Sequence, residues 1–99
     1  MEEHDKQVVD TAQAAFNALD ERYWATDDPG EQALLRPQIE VATTNLALAR
    51  IKLLKSGTLA AQDDVEEIQR IHDEIDAAAD SQATLIAAVR FVAFLAKFV

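Results

Sequence analysis

The sequence predicts an all-α protein, a bundle of three long antiparallel helices, on three observations. Only two glycines and two prolines occur in 99 residues, which leaves little material for turns. Alanine is abundant, and β-branched and aromatic residues do not dominate, a composition that favours helix. Apolar residues recur at steps of three and four through three long stretches.

The first helix is expected over about 2–25. Val9, Ala12, Phe16, Leu19 and Tyr23 form one stripe, widened by Val8 and Ala15. Glu2, Glu3 and Asp5 fall in its first turn, where the helix dipole favours acids. Thr26-Asp27-Asp28-Pro29-Gly30 ends it. Asp28 suits the N-cap of the next helix, Pro29 its first position, and Glu31 the reciprocal position of a capping box.

The second helix is expected over 29–56, on Leu35, Ile39, Ala42, Leu46, Ala49 and Leu53. Pro37 predicts either a kink or a restart after a short first segment. Arg50, Lys52 and Lys55 crowd its last turns, where cations are stabilised. Ser56-Gly57 is the stop, with Gly57 suited to the left-handed cap, and Thr58 to Gln62 are expected to form the connection or an early helical turn.

The third helix is expected over about 63–99. Asp63, Asp64, Glu66 and Glu67 load its start. Ile68, Ile71, Ile75, Ala78, Gln82, Leu85, Val89, Val92, Ala96 and Val99 then follow without a slip. That is a coiled-coil-like register, and the C-terminal half is strongly apolar. Gln82 is a polar residue within it, of the kind that can set an oligomeric state when buried; the favoured reading places it at the edge instead, with Leu85 and Ile86 sharing the seam. The alternative is a break near Asp80–Gln82, capped by Asp80 or Ser81, that folds the tail back as a fourth helix; no loop residues support it. The whole chain, 1–99, reads as a single helical domain.

Length makes the three-helix arrangement incomplete by itself. A third helix of ~37 residues would be about 55 Å long, and the second, at ~28 residues, about 42 Å. The overhang exposes an apolar end, which marks an interface. The expected interface comprises Leu85, Val89, Phe91, Val92, Phe94, Leu95, Phe98 and Val99, with Tyr23 and Trp24 at the nearby turn. A second copy is the favoured occupant, giving a homodimer; a different protein or a lipid surface are the others.

Charge narrows the partners. The net charge is −9, with a basic stretch at 32–58 between acidic stretches at 1–31 and 59–80. Direct nucleic-acid binding is disfavoured, because it needs clustered Lys and Arg. The acidic stretches suggest an alternative role as an acidic inhibitor or DNA mimic occupying a basic site. Residues 83–99 are short for a membrane span and hold Arg90 near their centre, which leaves only peripheral attachment. The acidic start is unlike a signal peptide, so a cytoplasmic location is expected.

Little in the chain suggests chemistry. There is no cysteine, and the histidines are His4 and His72. His72 and Asp76 lie one turn apart, a spacing able to chelate a metal, but Gln69 stands where a di-iron bundle needs Glu. The paired acids Asp27-Asp28, Asp63-Asp64 and Glu66-Glu67 sit at helix starts and read as solvated caps rather than a catalytic pair. No catalytic residue, cofactor or metal site is expected. The predicted role is that of a non-enzymatic protein acting by protein–protein interaction.

Overall fold

A computed structural model of the protein describes residues 3–56 and 60–99, apart from the Ser56 side chain. Among the described residues there are four helices: α1 (Glu3–Ala25), α2 (Pro29–Ser56), α3 (Gln62–Ala77) and α4 (Ser81–Ala96). The expected roles of Glu2, Gly57 and Thr58 lie outside the described residues.

The turn into α2 follows the local signals. Asp28 Oδ1 accepts from the Gly30 amide at 2.9 Å, and Pro29 opens the helix. Glu31 does not close a capping box. Its carboxylate accepts from Thr26 Oγ1 at 3.1 Å, and that hydroxyl oxygen accepts from the Asp28 amide at 3.2 Å. α2 then runs through Pro37 without a restart. Pro37 offers no amide to the Ala33 carbonyl, and both residues are exposed.

The fold has four helices, not three, because the expected third helix breaks at 78–80. No glycine or proline marks that break. Asp80 caps the new helix, its Oδ1 accepting from the Ala83 amide at 2.8 Å. Thr84, buried, donates its hydroxyl to the Asp80 carbonyl at 2.9 Å. Carrying α3 through this point would keep about three backbone hydrogen bonds, worth roughly 1 kcal/mol each. Folding back instead buries Phe91, Phe94, Leu95 and Phe98 within the chain, at roughly 1.5–3 kcal/mol each. Burial wins, and the overhang disappears. Asp80→Ala is expected to cost about 1 kcal/mol, read as a lower urea midpoint; an unchanged midpoint would show that the cap does not hold this turn.

The helices form a ring in the order α1, α2, α4, α3; α2 and α3 do not touch. At one end Asp5 Oδ1 accepts from the Ala60 amide at 2.6 Å, and at the other Arg22 donates to the Asp76 carbonyl at 2.8 Å. These contacts make α1 and α3 parallel neighbours. α4 returns along α3, so α2 and α4 are parallel neighbours too. The long axis of 41 Å matches α2, about 42 Å for 28 residues. Small residues on α1, α2 and α4 (Ala12, Ala15, Ala42, Ala49, Ala87 and Ala88) let the backbones approach around Leu19, Leu35, Ile68, Ile75, Phe91 and Phe94.

Candidate interaction face

The ring order sorts charge into two layers. α1 and α3 together carry twelve acids and three bases, whereas α2 and α4 carry two acids and five bases. Several cations of the second layer turn back on the first. Arg90 pairs with Glu74, and Lys97 Nζ lies 3.0 Å from Asp64 and 2.9 Å from Glu67. Burial lowers the Lys97 pKa, but the hydrogen bonds to Glu67 and Asp64 outweigh it and hold the amine above the usual lysine value. Arg50 donates to Gln13 at 3.3 Å. Arg36 donates to the Tyr23 hydroxyl through Nε at 3.0 Å and Nη2 at 2.8 Å, bonds that raise its pKa above the ordinary arginine value.

With these cations turned inward, the outer side of the α2/α4 layer is apolar. Leu34, Val41 and Leu48 repeat every seven residues, each one position before a core residue, Leu35, Ala42 or Ala49. They therefore sit about 100° around the helix from the core. Arg36 and Arg50 occupy the flank towards α1, so this stripe faces away from it. Leu34 is 55% exposed, Val41 46% and Leu48 43%. On α4, Arg90 and Lys97 mark the flank towards α3, and Leu85, Val89, Val92 and Ala96 run along the opposite side. Val89 is 48% exposed, while Leu85 and Val92 are half-buried. Because α2 and α4 are parallel, the two stripes lie side by side as one face.

The residues expected at an interface are thus divided. Phe91, Phe94, Leu95 and Phe98 are buried in the core of their own chain. Leu85, Val89, Val92 and the exposed Val99 fall on the outer side of α4. Tyr23 is buried; Trp24, at 71% exposure, stands edge-on to it, with ring centroids 5.0 Å apart, on the α1/α2 side rather than on this face. The continuous register expected from Ile68 to Val99 splits at the break. Ile68, Ile71, Ile75 and Ala78 face the core, but Gln82, Val89, Ala96 and Val99 face solvent. Gln82 is exposed and sets no core register in the folded chain. Leu34, Val41 and Leu48 were not among the expected residues; the seven-residue repeat on α2 is the signal that marks them.

His72 lies 3.4 Å from Asp73 and 3.6 Å from Asp76, and no group of three or more potential ligands converges among the described residues. No helix among the described residues is long and apolar enough to cross a membrane.

Fold and face together define a small all-α bundle with an acidic layer and an opposite apolar one. Comparison with models of known protein families, with curated proteins and with solved structures returned no match.

Proposed function

We propose that this protein acts without catalysis, by binding protein through the outer face of α2 and α4, and that its first partner is another copy of itself. The observation that carries this reading is the pair of apolar stripes lying side by side: Leu34, Val41 and Leu48 on α2, and Leu85, Val89 and Val92 on α4. Contiguous apolar surface of this kind marks interaction sites, and a two-fold dimer is the commonest closed assembly.

Light scattering during size-exclusion chromatography tests it. The native chain is expected to run above its single-chain mass of 10.9 kDa at micromolar concentration. Val41→Asp and Val89→Asp are each expected to return it to the single-chain mass with unchanged helicity, since both positions are about half exposed. A native protein that stays at single-chain mass removes self-association. Flotation of that monomer with anionic vesicles would then assign the face to a lipid surface instead.

A second reading rests on the acidic α1/α3 layer, which carries twelve acids, one of them the buried Asp5 and three of them paired with Arg90 or Lys97. Such a surface suits a basic site otherwise occupied by nucleic acid. Partner capture lost on raising the salt and retained by Val41→Asp would favour this role; salt-insensitive capture would remove it.

A further inference from the structure

The outer stripe of α2 has an internal symmetry of charge. Stepping by sevens, the sequence reads Asp27, in the turn before the helix, and then Leu34, Val41, Leu48 and Lys55 within it. Reversed end for end about Val41, Leu34 falls on Leu48 and Asp27 falls on Lys55. Lys52 falls on Gly30, between Asp28 and Glu31. Opposite charges therefore meet only when two such helices run antiparallel; run parallel, Asp27 meets Asp27 and Lys55 meets Lys55.

The lysines are available for this role. Lys52 and Lys55 are exposed, and among the described residues neither forms an ion pair, whereas Arg90 and Lys97 on the same layer do. Asp27 is exposed and likewise makes no ion pair among them. The cations that serve the fold are already engaged, Arg36 and Arg50 with α1 and Arg90 and Lys97 with α3, and those left over sit towards one end of the apolar stripe, with acids in the turn at the other.

We infer that the α2/α4 face takes a second copy of the chain, laid antiparallel across a two-fold axis at Val41, with Lys55 of each copy against Asp27 of the other and Lys52 beside Asp28 and Glu31. This rests on the proposed association through that face. A second copy fits the α4 stripe as well: the same axis lays α4 on the α4 of the other copy, apolar against apolar. Taking helices ~10 Å wide, with α2 about 42 Å long and α4 about 24 Å, the paired faces cover roughly 1,300 Å² in total, near the lower bound for a stable pair. The end charges then choose the orientation, since the apolar centre fits either way round.

The absence of cysteine allows a direct test. Leu34→Cys and Leu48→Cys chains, both at exposed positions, are prepared separately and oxidised mildly, alone and mixed. The antiparallel dimer is expected to give a disulfide-linked pair from the mixture and little from either variant alone. Linkage of Leu34→Cys to itself in preference to Leu48→Cys would overturn the inference in favour of parallel pairing.

Charge reversal gives a second reading of the same geometry. Asp27→Lys and Lys55→Asp are each expected to weaken the dimer about five- to tenfold, since either change places like charges together at two symmetric sites. The double variant is expected to restore it, and unchanged dimerisation in both single variants would also overturn the inference. Failure of the underlying association is distinct from either result: the unmodified chain would show single-chain mass at every concentration.

Discussion

Phe94→Ala is expected to destabilise the isolated chain by about 3–5 kcal/mol, the range for removing a fully buried phenylalanine. Phe94 is 1% exposed. Its ring meets Phe98 at 5.4 Å between centroids, inclined at 60°, and carries the Lys97 amine 4.8 Å above its centroid. Truncation therefore removes an aromatic pair and a cation–π contact as well as apolar area. Domains of this size have about 5–15 kcal/mol of stability in total, so the loss is a large part of it. Urea denaturation followed by far-UV circular dichroism measures it directly. Val89→Ala, on the same helix but half exposed, is expected to change stability by about 1 kcal/mol or less. Equal small effects at both positions would mean that the tail does not pack inside its own chain. The contrast also separates two kinds of variant. A charge at Phe94 or Phe98 breaks the fold, whereas a charge at Val41 or Val89 tests the face.

Asp5→Ala is expected to cost about 1–3 kcal/mol, the penalty for leaving a buried backbone donor without its acceptor. Asp5 is fully buried near the start of α1, and its carboxylate receives the Ala60 amide, 55 positions away, at 2.6 Å. That bond fixes the approach to α3 beside α1. Asp5→Asn retains a carbonyl oxygen for the same amide and is expected to recover part of the loss. Hydrogen exchange at the Ala60 amide supplies a local readout, expected to be faster in Asp5→Ala than in Asp5→Asn. Identical urea midpoints for native protein and Asp5→Ala would remove this role.

Asp5 also shows where sequence and structure part. An acid in the first turn of a helix has a sufficient local reason to be there, its favourable interaction with the helix dipole. Nothing within that turn indicates that the carboxylate also reaches the approach to a distant helix. The outer stripe of α2 is similar. The Leu34, Val41 and Leu48 repeat is plainly visible, but it runs directly beside the repeat of Leu35, Ala42 and Ala49. One helix does not reveal which of two adjacent stripes turns inward. α4 has the same ambiguity, because Leu85, Val89 and Val92 continue the spacing of the α3 core while Phe91, Phe94 and Phe98 form the stripe that is buried.

By itself, the sequence determined the helical class, the end of α1 before Thr26, the start of α2 on Asp28-Pro29, and the alternation of acidic and basic blocks. Each depends on interactions within a few residues: caps, helix propensity, dipole and net charge. The tertiary structure decided the break at 78–80, the ring order that separates acidic from apolar layers, and which stripe of each helix faces out. The break shows the reason. Alanine propensity and an unbroken three-four register favour one long helix by increments of about 1 kcal/mol or less per residue. Against them stands the burial of four large apolar side chains, several times larger in sum, and that energy exists only once α4 has reached α2 and α3.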